Sequence, residues 1–156
     1  MSNPVPGVHA LKGAADAVGS HWEGRSFVLP VRVYYHHTDA GGVVYHGTYL
    51  DFMEAARIEL LTALGFDLAG LAEKDHVLFM VYRLEVDYHR PARLNDALRV
   101  SAAITRVGRV RLDFEQRVRR GHEVLVSALV KAACVHPRTF KPVALPDGLR
   151  RKLQHP

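Results

Sequence analysis

VRVYYHHTDAGGVVYHGTYLDFMEAARIELL, residues 31–61, changes its repeat partway along. Up to residue 36 the chain alternates. Leu29, Val31, Val33 and Tyr35 fall on one side of an extended backbone and Arg32, Tyr34 and His36 on the other, the period of a β-strand. From residue 49 the spacing is three and four, and Tyr49, Phe52, Met53, Ala56, Leu60, Ala63 and Leu64 form the broad apolar stripe of an α-helix. Leu50, Ile58 and Leu61 lie outside that stripe, so the helix is expected to be buried on more than one side. Gly65 is its predicted stop, because glycine accepts a positive φ. Between strand and helix stand Asp39, Gly41, Gly42, Val43, Val44 and His46. A plain connector needs a turn former and an N-cap; an acid at one end and a histidine at the mouth of a helix ask for more.

Beyond Gly65 the period returns to two. Met80, Tyr82, Leu84, Val86 and Tyr88 alternate with Val81, Arg83, Glu85, Asp87 and His89, and Pro91 ends the run. Leu98, Val100, Ala102 and Ile104 mark the next strand. A turn at Gly108 and Arg109 leads to Val110, Leu112, Phe114, Gln116 and Val118, and Arg120-Gly121 marks a further hairpin. The last strand, from Glu123 to about His136, is apolar on both faces, as a central strand would be. Strand, long helix and four more strands make an α+β protein: an antiparallel five-stranded sheet wrapped around one long helix. The expected organisation is a flexible extension over residues 1–25, a domain over 26–148 and a C-terminal tail over 149–156.

A chain of 156 residues, 48% hydrophobic, has the size of one domain with a substantial core. The single cysteine, Cys134, excludes an intramolecular disulfide and a cysteine-rich zinc site, and no metal or cofactor is expected. No apolar run approaches the roughly 20 residues of a membrane span, and residues 1–25 lack the pattern of a secretion signal, so a cytoplasmic location is expected. The formal charge of +5 raises the possibility of a nucleic-acid partner, but the arginines are scattered. From Arg111 to Arg119 they alternate with apolar residues as the solvent face of a strand would, leaving at most a basic rim for a phosphorylated small molecule.

Two readings fit the loop. In one, Asp39 bonds its own backbone in a turn and His46 fills the first helical turn. In the other, the loop serves acyl transfer: Asp39 is a base or nucleophile, and the unpaired N–H groups of the helix start receive the developing oxyanion. The stretch quoted above resembles the hotdog-fold acyl-CoA thioesterases, closest to the Tol–Pal-associated group, with the 4-hydroxybenzoyl-CoA thioesterases as cousins. The family pattern Y-x-D-T-D-x-x-G-V-V-Y-H-x-x-Y-x-x-F-x-E-x-A-R-x-E is met at nearly every position. The likeness continues through YRLEVDYHRPARLNDALRV to VHPRTFKPVALP, about residues 27 to 147.

The resemblance implies a hotdog fold and hydrolysis of an acyl-CoA thioester to a free acid and coenzyme A. It makes Asp39 the catalytic carboxylate and puts His46 at the oxyanion end, with Gly42, Val43, Tyr45 and Thr48 binding substrate. It also implies a homodimer or homotetramer with sites at the subunit interface, and acyl-carrier protein as a second possible carrier. His37 departs from the pattern, which has Asp there; on a regular strand His36 and His37 would face opposite ways and form no metal pair. Glu54, Arg57 and Glu59 are expected to pair on the helix surface. The alternatives are a hotdog acyl-thioester dehydratase, or a non-catalytic module binding acyl-carrier protein or an envelope complex.

Overall fold

A computed structural model describes residues 19–156, so most of the expected extension lies outside the described residues. The elements run β1 (His21–Glu23), β2 (Ser26–Arg32), a 3-10 turn (Tyr35–His37), α1 (Thr48–Ala63), α2 (Leu68–Lys74), β3 (Leu78–Tyr88), β4 (Ala97–Val107), β5 (Arg111–Arg120), β6 (Glu123–Val135) and α3 (Asp147–Gln154). The strands form one antiparallel sheet in the order β1-β2-β4-β5-β6-β3, with α1 lying across β2, β4 and β5. The sheet has six strands instead of the expected five. The sixth is β1, whose Trp22 pairs with Phe27 and meets its ring edge-on at 5.4 Å. Three residues are too few for alternation to reveal.

The helix follows from its stripe. Met53, Ala56 and Leu60 have no exposed surface, and Tyr49, Phe52 and Leu61 are buried beside them. Gly65, at φ +89°, ends the helix as predicted, with its N–H on the Thr62 carbonyl and that of Phe66 on the Leu61 carbonyl. Facing α1, Gln116 of β5 is fully buried and donates to the Met53 carbonyl at 2.9 Å. Its amide oxygen accepts from Arg57 at 2.7 Å. Arg57 therefore turns inward to Gln116 instead of pairing on the helix surface, and burial lowers its pKa against the opposing charge of Glu54. Cys134 is buried in β6, which pushes its thiol up to about 11.

The expected C-terminal tail belongs to α3 as far as Gln154. Leu149 and Leu153 have no exposed surface, and Lys152 donates to the Leu64 carbonyl at the end of α1 at 3.0 Å. On β3 a bulge at Tyr82 changes the face assignment. Opposite β6, the inward set is Phe79, Val81, Leu84, Val86 and Tyr88, whose partners Cys134, Ala132, Val130, Ala128 and Val126 are all buried. On β6 the outer face is open instead of covered, and Leu129 is 49% exposed. Among the described residues no helix is long and apolar enough to cross a membrane.

Strand β2 stops at Arg32, and the 3-10 turn that follows brings the His36 and His37 rings within 4.0 Å, not onto opposite faces. The His37 Nδ1 accepts the Tyr34 N–H at 3.0 Å, and its ring stands edge-on to Phe52 at 4.9 Å. Burial, then the neighbouring His36, lowers the His37 pKa, while Asp51 acts in the other direction.

Replacing Leu149 by Ala is expected to cost about 2–5 kcal/mol of stability, read as a lower denaturant midpoint. For His37 the unfolded chain takes up a proton near pH 6.5 while the folded chain resists it. Its contribution to stability is therefore complete above pH 6.5 and is lost as pH falls from there toward the folded pKa. Thermal melts of wild type and His37→Ala between about pH 8 and pH 5 should show a gap that narrows toward acid. A constant gap contradicts this role.

Candidate active site

Residues 37–45 fold as a tight hairpin. Thr38 bridges Val44, the Asp39 N–H donates to the Val43 carbonyl at 2.9 Å, and the Tyr45 N–H to the His37 carbonyl at 2.9 Å. The tip closes with the Gly42 N–H on the Asp39 carbonyl at 3.0 Å, and Gly42 takes a φ of +77° there, a conformation that L side chains rarely adopt. The Asp39 Oδ1 accepts the Gly41 N–H at 2.8 Å. Asp39 is thus a turn aspartate in geometry, as the first reading of the loop has it, yet it is exposed, and its second oxygen meets no donor among the described residues. One oxygen holds the turn and the other faces solvent.

The hairpin leads straight into α1. Gly47 is the N-cap position and no side chain caps the helix. The N–H groups of His46 and Gly47 meet no acceptor among the described residues, which leaves donors and the positive end of the helix dipole open at this point. A cleft of about 290 Å³ lies there, lined by Val44, His46, Tyr49, Tyr88, His89, Arg90 and Pro91. Among the expected site residues, His46, Tyr45 and Thr48 gather at this mouth, the Tyr45 and His46 rings 4.3 Å apart. Gly42 and Val43 stay on the hairpin with Asp39, and no hydrogen bond joins the Asp39 and His46 side chains.

The hairpin is held by the connector from β3 to β4. The Val44 N–H donates to the Ala92 carbonyl at 2.9 Å, the Ala92 N–H to the Tyr49 hydroxyl at 2.9 Å, and Val43 bridges Arg93. Behind that connector, Arg120 pairs with Asp96 at 2.7 Å and Glu123 at 2.9 Å, while the Arg93 N–H donates to Asp96 at 2.8 Å. Burial alone would raise the Asp96 carboxyl, but the Arg93 N–H and the Arg120 guanidinium outweigh it and hold it below the ordinary carboxylate value. Sequence reading missed this support. Tyr88, Pro91, Ala92 and Asp96 all lie in the matched YHRPARLND stretch, but spacing cannot tell which backbone groups they reach. Among the described residues no group of three or more His, Cys, Asp or Glu side chains is arranged to hold a metal ion.

An exposed carboxylate on a hairpin and an uncapped helix start suit attack on a carbonyl and stabilisation of the resulting oxyanion. The chain matches the thioesterase superfamily over residues 41–127. It is 44% identical over 129 residues to the acyl-CoA thioesterase YbgC of Haemophilus influenzae, covering 83% of this chain and 95% of that one. The 1,4-dihydroxy-2-naphthoyl-CoA hydrolase of Synechococcus elongatus is 30% identical over 118 residues, 75% of this chain and 87% of its own. Among solved structures, the "probable thioesterase" of Bartonella henselae superposes with a TM-score of 0.74 at 35% identity, covering 76% of this chain and 98% of that one. One helix cradled by an antiparallel sheet, an uncapped helix start beside the Asp39 hairpin and these likenesses agree: the chain belongs to the thioesterase superfamily, with the hotdog fold.

Proposed function

We propose that this chain hydrolyses acyl-CoA thioesters to a free carboxylic acid and coenzyme A, with Asp39 as base or nucleophile and the mouth of α1 as the oxyanion site. The observation that carries this reading is that, among the described residues, the N–H groups of His46 and Gly47 meet no acceptor and one oxygen of Asp39, on the adjoining hairpin, meets no donor. With Asp39 as base, it takes a proton from water as the water oxygen bonds to the thioester carbon. The carbonyl electrons move to oxygen, where the N–H groups receive them. The oxyanion then re-forms the C=O bond, the C–S bond breaks, and the thiolate of coenzyme A leaves with the proton that Asp39 held. With Asp39 as nucleophile, its oxygen bonds to the carbon and expels the thiolate, and water then cleaves the resulting anhydride. Gly42, Val43, Tyr45 and Thr48 are proposed to line the substrate, and the cytoplasm is the proposed location.

The proposed partner is a second copy of this chain, in a homodimer or homotetramer. Strand β3 is an edge strand of 11 residues. Its inward-facing Val81, Leu84 and Tyr88 are 46%, 39% and 49% exposed, because α1 rests on β2, β4 and β5 and stops short of them. An open edge with an apolar inner face is completed by another strand and another helix.

Thiol release from a panel of short, long and aromatic acyl-CoAs and acyl-carrier-protein thioesters tests the activity and separates hydrolysis from dehydration. Asp39→Asn should lower kcat by about 10²–10⁴ with little change in KM. Asn retains an oxygen for the Gly41 N–H, so the Tm should hold. His46→Ala should cost less, because its backbone N–H remains. Near-normal turnover of Asp39→Asn would reduce the loop to a turn. Light scattering should give twice or four times the chain mass, and Leu84→Arg should lower it; a wild-type monomer at micromolar concentration would sink the interface.

A further inference from the structure

The first turn of α1 is held one peptide at a time. The Tyr45 carbonyl accepts the Thr48 N–H at 2.9 Å, and the Gly47 carbonyl accepts the Leu50 N–H at 3.0 Å. The His46 carbonyl between them receives no backbone donor among the described residues. It accepts instead from the Tyr88 hydroxyl, at 2.8 Å, from 42 residues away in sequence. A trans peptide carries its C=O and N–H on opposite edges of one plane, so the group that holds the His46 carbonyl also sets the direction of the Gly47 N–H. That N–H and the N–H of His46 meet no acceptor among the described residues.

Tyr88 is well placed to hold that plane. It is the last residue of β3, on the inward face opposite Val126, with its ring edge-on to Tyr49 at 5.8 Å. The Tyr49 hydroxyl is placed elsewhere, on the β3–β4 connector, where it accepts the Ala92 N–H at 2.9 Å. Burial, and then the neighbouring Tyr45, raises the Tyr88 pKa, which keeps its hydroxyl a donor. On the other side, a Cβ at Gly47 would stand 2.8 Å from Cε1 of Tyr45, so glycine there lets that ring lie against the peptide.

We propose that Tyr88 is a positioning residue of the thioester site: by holding the His46 carbonyl it fixes the plane of the 46–47 peptide and keeps the Gly47 N–H beside that of His46 as a second oxyanion donor. This rests on the reading of the helix mouth as the oxyanion site and adds a donor and its support. In this role Tyr88 acts on the peptide and not on the substrate. Its hydroxyl acts through the peptide, so removing it should weaken transition-state binding more than ground-state binding.

The test is Tyr88→Phe, which keeps the ring against Tyr49 and removes only the hydroxyl. We expect kcat on a hydrolysed acyl-CoA to fall roughly tenfold, the scale of one lost hydrogen bond, with KM within about twofold and Tm unchanged. The Gly47 amide ¹⁵N resonance, which reports hydrogen bonding at the carbonyl of its own peptide, should move in the variant. A kcat within about twofold of wild type overturns the proposal, as does a loss confined to KM. An unmoved Gly47 resonance overturns it whatever the activity. Wild-type protein assayed alongside keeps the two readings apart. Thiol release by wild type with an unaffected variant removes Tyr88 alone, whereas no release from any acyl-CoA removes the oxyanion site and this proposal with it.

Discussion

Met53, Ala56 and Leu60 have no exposed surface, and the rest of the molecule is arranged around the helix that carries them. Burying a leucine- or methionine-sized side chain is worth about 1.5–3 kcal/mol, so this stripe together with Phe52 and Leu61 anchors α1 on β2, β4 and β5. Apolar contact alone would let a helix slide or roll on a sheet. Gln116 limits that freedom: it is a fully buried polar residue, and besides the Ser101 carbonyl at 3.5 Å its amide bonds the Met53 carbonyl and Arg57 of the helix. Leaving such a group unsatisfied costs about 1–3 kcal/mol, a penalty that falls on alternative placements of the helix.

Fixing the helix fixes its first residue, and through it the site. The mouth of α1 is uncapped, an unusual place to leave backbone donors, and the chain invests elsewhere to keep it in position. The hairpin is tied to Ala92 through Val44 and Tyr49, the first turn to Tyr88, and the connector behind them to Arg120 through Asp96. These supports converge from β3, β5 and the β3–β4 connector on a stretch of fewer than a dozen residues. The open donors are therefore held in place, as the proposed oxyanion site requires. The same placement of α1 leaves the inner face of β3 uncovered, and with it the cleft that Tyr88 lines. Site and open edge are neighbours because one strand supplies both.

Much of this was legible in the residues. The strand-to-helix change at residues 31–61, the apolar stripe of α1, its stop at Gly65 and the period-two runs after it all depend on interactions between near neighbours, which leave their period in the sequence. The family pattern around Asp39 and His46 was legible for the same reason, since a hairpin and a helix start are built from consecutive residues. Tertiary structure alone decided the rest. The strand β1, the core role of Leu149 and Leu153 and the inward turn of Arg57 each depend on a surface supplied by distant residues. The bulge at Tyr82 shifts the inward set on β3 by pairing with β6, and alternation along β3 by itself runs through it unbroken. The 3-10 turn that brings His36 against His37 follows from ending β2 at Arg32, where pairing with β4 runs out. The bond from Tyr88 to the His46 carbonyl is the clearest case: a hydroxyl meets a backbone oxygen across 42 residues, and no local pattern records which carbonyl a folded chain will bring to it.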